Sequence, residues 1–353
     1  MSDTIRNNFL VKAALTPLSW LYGGITDLRN YGYYKGFFEC YPTPCPAISV
    51  GNLTVGGTGK TPMIEYLVRL LKNRERIAVI SRGYGRKTRG LRVAGPDSSA
   101  AEIGDEPLQY YRKFSNDIRV LVAEKRAGAA RKIAAEFPET GLILLDDAFQ
   151  HRAIERCLDI MLTDYNRPFY ADLPFPAGNL RERKRGSRRA DIIVVTKSPG
   201  NLSPTEKDDI ISRIRRYAGS KAPVFFSSVV YGVEIPFAGI RQAGDYSHVT
   251  GLSGLAQNDT FRQFLCDRYG ATHFFGFPDH YEYTVHDLLK TGIADDKGLA
   301  LLTTEKDMVK LMPLALELGV AERCFYIPLE VEMHEKERFD SLIIESASER
   351  SGE

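Results

Sequence analysis

The sequence predicts an α/β fold, a doubly wound sheet domain followed by a smaller α/β domain, and three observations carry that prediction. A strand, a glycine-rich loop and a helix follow one another directly in "PAISVGNLTVGGTGKTPMIEYLVRLLKN", residues 46–73. Five further runs, "RIAVIS" (76–81), "IRVLVA" (118–123), "TGLILLDD" (140–147), "LDIMLTD" (158–164) and "ADIIVVTK" (190–197), are apolar at their centres and alternate with helical stretches, as a parallel sheet requires. After the helical "SPTEKDDIISRIRRYAG" a second set begins: "PVFFSSVVYG", "HVTGL", "THFFGF", "LALLTTEKD" and "CFYIPLEV". With 353 residues the chain is long enough for two domains. A boundary is expected between 222 and 245, giving an amino-terminal segment (1–35), a larger domain (36–222) and a smaller one with linker strands (223–353).

Composition limits the function classes. A hydrophobic content of 43% is that of a soluble globular chain, and a net charge of +2 gives no global field for a polyanion, so no nucleic-acid partner is expected. Five cysteines, Cys40, Cys45, Cys157, Cys266 and Cys324, show no metal-ligand spacing and fit a reducing compartment.

The amino-terminal "FLVKAALTPLSWLYGGI" (9–25) is apolar but interrupted by Lys12, Pro17 and a glycine pair. It is too broken to span a bilayer and has no small-residue cleavage site. Trp20, Leu21 and Tyr22, with Arg6, Lys12, Arg29 and Lys35 around them, suit a helix lying in a membrane interface; a helix packed on the protein's own sheet is the alternative.

In the loop, Gly56, Gly57 and Gly59 let backbone amides turn toward a phosphate at a helix start. Lys60 reaches the outer oxygens, and the Thr61 hydroxyl is placed to hold magnesium. The domain therefore reads as P-loop NTPase-like, with Thr54 where the usual pattern has glycine. "LILLDDAFQH" puts Asp146 and Asp147 at a strand end, either as magnesium-binding carboxylates or with Asp147 as a helix cap. "SRGYGR" offers Arg82, Tyr84 and Arg86 to phosphate or sugar, or is a plain turn. "GDEP" places Asp105 and Glu106 at a helix start, where negative charge is favourable in any case. Six Lys/Arg stand between Arg181 and Arg189, a solvated run or a docking patch for an acidic group. "FPDHYEY" brings Asp279 and His280 after a strand, and "TTEKDMVK" (303–310) is motif-like at a strand end, with a nucleotide or hinge role.

Together, "SVGNLTVGGTGKTP", "SRGYGR", "GDEP", "LDDAFQHR", "LPFPAGNLRE", "FPDHYEY" and "TTEKDMVK" occur in the order found in the tetraacyldisaccharide 4'-kinase family of lipid A biosynthesis, which the chain resembles over nearly its whole length. Thr54 is shared with that family; Ala148, where the family usually has glycine, is a departure that restricts the backbone. The resemblance implies ATP- and Mg2+-dependent phosphorylation of the 4'-hydroxyl of an acylated disaccharide 1-phosphate lipid. It implies a peripheral enzyme on the cytoplasmic face of the inner membrane, with no obligate protein partner. Residues Thr54, Val55, Gly56, Gly57, Thr58, Gly59, Lys60 and Thr61 would hold the nucleotide, and Thr61, Asp146 and Asp147 the metal. Asp105 would take the hydroxyl proton, paired with His280 across a closing cleft, while Lys60 neutralises phosphate charge. Arg82, Tyr84, His151 and Arg181 would face the acceptor. Two other readings are a P-loop kinase of a soluble metabolite and a P-loop partitioning-type ATPase, the latter weakened by Val55, which stands where that class usually has lysine.

Overall fold

A computed structural model of the chain describes residues 9–240, 242–255, 258–271, 273–279 and 281–348. Its strands, in chain order, are β1 (Ala47–Asn52), β2 (Ile77–Ser81), β3 (Arg92–Val93), β4 (Ile118–Val122), β5 (Leu142–Asp146), β6 (Leu158–Asp164) and β7 (Ile192–Thr196), then β8 (Val224–Tyr231), β9 (Ile235–Pro236), β10 (His248–Ser253), β11 (His273–Gly276), β12 (Leu299–Thr304), β13 (Cys324–Ile327) and β14 (Leu329–Met333). The first sheet runs β14-β8-β7-β6-β1-β5-β2-β4-β3, parallel except at its two edge strands.

Continuous apolar runs belong in such a sheet because helices cover both faces. The alternation shows this directly. Ile192 and Val194 join the core beneath helices Lys60–Leu71, Asp105–Phe114 and Lys336–Ser348. Ile193 and Val195 face the opposite way, into the core that takes Ile214 and Ala218 of helix Pro204–Ala218. Helix Lys60–Leu71 buries Met63, Ile64, Leu67, Val68 and Leu71 along one face, each worth about 1.5–3 kcal/mol of burial.

The second sheet runs β11-β10-β12-β13-β9. Two expectations about strand grouping change here. "PVFFSSVVYG" belongs to the first sheet, where β8 lies parallel to β7, and "CFYIPLEV" is two strands rather than one. Pro328 breaks that run: it has no N–H to continue a ladder, so β13 stays in the second sheet and β14 returns to the first, antiparallel to β8. The outward crossing passes close by, with the Gly232 N–H donating to the Pro328 carbonyl at 2.9 Å. The two sheets are joined by a shared apolar cluster in which Ile103, Leu108 and Val122 of the first meet Leu301, Met308 and Val309 around the second.

Helix Phe9–Tyr34 combines both alternatives set out for it. Ser19, Gly23 and Thr26 are buried against the protein, and the Ser19 hydroxyl accepts from the Ala177 N–H at 2.9 Å. Tyr22 points the same way, donating to the Arg181 carbonyl at 2.9 Å, so it departs from the expected grouping with Trp20 and Leu21. Leu18, Leu21, Ile25 and Leu28, spaced as one helical stripe, are exposed on the far side with Trp20. No described helix is long and apolar enough to cross a membrane.

Glycine is required where the "SRGYGR" and "GDEP" turns touch. Gly104 has φ 96°, and a Cβ there would stand 3.0 Å from the Tyr84 carbonyl. Gly104→Ala should therefore lower the unfolding free energy by about 1–3 kcal/mol. In contrast, Gly128→Ala, in the open first turn of helix Arg126–Glu136, should raise it by about 0.4–1 kcal/mol. Denaturant melts of both variants check the opposite signs.

Candidate active site

Because β1, β5, β2, β6 and β7 are parallel, their carboxyl ends gather polar residues along one edge of the sheet. The glycine-rich loop leaves β1 and enters helix Lys60–Leu71 through Gly59, whose φ of 81° makes the turn. Its neighbours fix its course. Thr196 donates to the Thr58 carbonyl at 2.9 Å, Lys197 to the Gly57 carbonyl at 2.6 Å, and Asn52 Nδ2 to Thr58 Oγ1 at 2.6 Å. Thr54 and Leu180 form an antiparallel bridge, the Val55 N–H donates to the Asn179 carbonyl at 2.8 Å, and the Arg181 N–H to the Leu53 carbonyl at 2.7 Å. That short ladder delivers Arg181 to the loop.

Two cations converge on one acid. Asp147 Oδ1 accepts from Arg181 Nη1 at 2.7 Å and lies 3.6 Å from Lys60 Nζ. Burial works against its charge, yet Lys60 and Arg181 hold its carboxyl below the usual carboxylate range. Asp147 sits at φ 47°, in the left-handed region that aspartate tolerates better than most residues. Ala148 is not among the positive-φ residues, so the alanine carries no backbone cost and the strained position is its neighbour.

Asp146 behaves differently. Ending β5, it is buried and accepts from Ser81 Oγ at 2.9 Å. Burial, with Glu106 and Asp147 nearby, pushes its carboxyl up to about 7 against the pull of Lys60 and Ser81. Glu106 is raised for the same first reason, burial, opposed by Lys60 and Lys306. Buried Arg126 donates to the Asp146 and Asp147 carbonyls at 2.7 and 2.9 Å and so fixes the turn from behind.

Asp105 opens helix Asp105–Phe114 beside this group, its Oδ2 3.4 Å from Lys310 Nζ. His151 is kept neutral: burial, then Arg126, Arg156, Arg82 and Arg29, push its ring down to about 4. Arg82 and Tyr84 are exposed at the rim. Arg86, by contrast, is turned to its own loop, donating to Glu124 and to the Gly90 carbonyl, so it serves the turn. His280 lies outside the described residues.

Most of the basic run also has structural partners. Arg189 makes a two-pronged pair with Glu182 at 2.9 and 2.7 Å, and Lys184 donates to the Tyr170 carbonyl at 2.6 Å. Arg183 and Arg185 pair with Asp27 of helix Phe9–Tyr34. Glu106, Ser81 and Arg126 were not singled out as site residues from the sequence; Glu106 stands beside Asp105 in "GDEP", whereas nothing local marks Ser81 or Arg126.

The sequence profile of the family described as tetraacyldisaccharide-1-P 4'-kinase matches residues 11–348. The chain belongs to this family. A tetraacyldisaccharide 4'-kinase of Cytophaga hutchinsonii is 39% identical over 333 residues, covering 92% of each chain. One of Flavobacterium psychrophilum is 39% identical over 346 residues, 96% of this chain and 97% of its own. Among solved structures, the LpxK protein of Aquifex aeolicus in complex with ATP superposes with a TM-score of 0.75 at 30% identity, over 95% of this chain and 99% of that one. Membership of the tetraacyldisaccharide-1-P 4'-kinase family favours neither a soluble-metabolite kinase nor a partitioning-type ATPase.

In this family member the raised Asp146 has a consequence for stability. Between the ordinary carboxylate range and about 7 the folded chain holds a proton that the unfolded chain has released, so this group's contribution falls as pH rises through that window. Asp146→Asn should accordingly melt at a higher temperature than the parent at pH 8, with the difference shrinking toward pH 5. Thermal melts across that range check it.

Proposed function

We propose that this chain transfers the γ-phosphoryl group of ATP to the 4'-hydroxyl of a tetraacyldisaccharide 1-phosphate. The observation that carries the reading is the convergence of Lys60 and Arg181 on Asp147 at the mouth of a phosphate-type loop. Phosphoryl transfer chiefly needs positioning and charge neutralisation. Loop residues 54–61 hold the phosphates, with Lys60 on the outer oxygens. The acceptor oxygen forms a bond to the γ-phosphorus, the bond to the bridging oxygen of the departing ADP breaks, and the hydroxyl proton passes to the Asp105 carboxylate. His280 is the residue we pair with Asp105, and Arg82, Tyr84, His151 and Arg181 are those we assign to the acceptor.

The donor set fits magnesium. Thr61, Asp146 and Asp147 offer oxygen only, and the buried acids Asp146 and Glu106, both raised by burial, lie where positive charge would relieve them. Magnesium held through one or two carboxylates commonly shares its coordination with nucleotide phosphates. Bound there, magnesium would neutralise charge on the phosphates.

A lipid acceptor stays in its bilayer, so the enzyme must come to it. The exposed stripe Leu18, Leu21, Ile25 and Leu28, with Trp20, and the exposed Leu173 and Phe175 beside Tyr22, are suited to lie in the interface. We place the protein peripherally on the cytoplasmic face of the inner membrane. The working units are then the membrane-associating segment up to residue 35, a nucleotide-binding body that reclaims β8 and β14, and a smaller body built on the second sheet.

Incubation of the purified chain with labelled ATP and tetraacyldisaccharide 1-phosphate tests the reading; label should appear on the lipid, and its absence under every detergent condition would contradict it. Lys60→Ala should lower kcat by at least about 10²-fold with native circular dichroism. Leu21→Ser/Ile25→Ser/Leu28→Ser should weaken vesicle binding and raise the KM for lipid while that for ATP stays put; unchanged vesicle partitioning would remove the interface assignment.

A further inference from the structure

The motif "TTEKDMVK" spans the end of β12 and the start of helix Glu305–Glu317, and Glu305, Lys306, Asp307 and Lys310 reach from that helix to other elements. Thr304 Oγ1 accepts from the Asp307 N–H at 3.2 Å and caps the helix. Buried Asp307 accepts from the Tyr283 hydroxyl at 2.8 Å and the Gly254 N–H at 3.0 Å, which ties two loops of the second sheet to this helix. Glu305 pairs with Lys113 of helix Asp105–Phe114 at 2.7 Å, Lys306 with Asp279 at 2.7 Å, and Lys310 with Asp105.

Lys310 has the most specific surroundings. Its side chain is 10% exposed, and an ammonium that deeply buried needs a counter-charge. Two acids are near. Glu282, at 3.8 Å, is 87% exposed and contributes little through solvent, whereas Asp105, at 3.4 Å, is largely buried. Lys310 also donates to the Tyr281 carbonyl at 3.1 Å. One ammonium therefore bridges the first-sheet residue assigned to the hydroxyl proton and the second-sheet segment that follows His280 in sequence. Lys113, about two turns along helix Asp105–Phe114, pins the same helix pair at its other end through Glu305 and ties it to Glu65 of helix Lys60–Leu71.

We propose that Lys310 is a positioning residue for the transfer: it keeps the Asp105 carboxylate aimed at the acceptor by anchoring it to the Tyr281–Glu282 segment. This rests on Asp105 being the proton acceptor. A carboxylate free to turn would meet the hydroxyl in fewer productive geometries, and the loss would fall on kcat rather than on nucleotide binding.

Transfer from labelled ATP by the full-length variants tests this. Lys310→Met should lower kcat by about 10- to 100-fold with the KM for ATP within about two-fold, and Lys310→Arg should recover most of the loss. The double variant Asp105→Asn/Lys310→Met should be no slower than Asp105→Asn alone, because residues acting as a unit lose activity together. Should Lys310→Met not fold, Lys310→Gln, which keeps a donor for the Tyr281 carbonyl, takes its place. Full kcat in Lys310→Met with a slow Asp105→Asn would overturn the proposal and leave Asp105 standing; full kcat in Asp105→Asn would overturn both. Multiplicative losses in the double variant would make Lys310 an independent strut and also overturn it.

Discussion

The site depends on the crowding of buried carboxyl groups at one edge of a parallel sheet, where burial and mutual repulsion push Asp146 and Glu106 up. Asp146, Asp147 and Glu106 are brought together by β5 and by the start of helix Asp105–Phe114, and only Asp147 has cations close enough to stay comfortably ionised. The chain tolerates this because the surrounding framework over-determines it: Arg126 holds the turn carbonyls, Ser81 holds Asp146, and the 179–181 ladder brings Arg181 across. A strained turn and crowded carboxyl groups held by a rigid scaffold would suit a site that receives a polyphosphate with its cation.

The second sheet is coupled to that edge by a charged joint. Lys113 bridges Glu65 of the loop helix and Glu305 of the second body at 2.7 Å to each, and burial, then Glu65, pushes the Glu305 carboxyl up to about 7 despite Lys113. Buried ion networks stabilise little in net terms but penalise every arrangement that separates their members. Together with the apolar cluster of Leu108, Val122, Leu301 and Met308, they set the orientation of helix Glu305–Glu317 over Asp105. The motif that the sequence offers for a nucleotide or hinge role lies at the joint between the two sheets.

Local chemistry was legible in the sequence wherever it was carried by contiguous residues. The loop from Thr54 to Thr61, the paired Asp146 and Asp147, and the apolar strands all announce themselves through spacing. What stayed hidden depends on distant partners. Periodicity marks β8 and β14 as strands but carries no information about which sheet receives them, and Pro328 acts only once both sheets exist. The run from Arg181 to Arg189 reads as a surface patch until Glu182, Asp27 and the Tyr170 carbonyl are brought to it. Tyr22 looks like Trp20 and Leu21 in composition, yet one helical step turns it inward to Arg181.

If the acid cluster is the seat for a cation carried by nucleotide phosphates, the stabilisation of the fold by nucleotide must depend on that cation and on Asp147 together. The direct measurement is the melting temperature of the parent chain and of Asp147→Asn with ATP, with magnesium, and with both, since a ligand that binds only the folded state raises it by mass action. A rise with both that exceeds the sum of the separate rises in the parent, and is lost in Asp147→Asn, is the result expected. An equal magnesium-dependent rise in the two proteins would contradict the account.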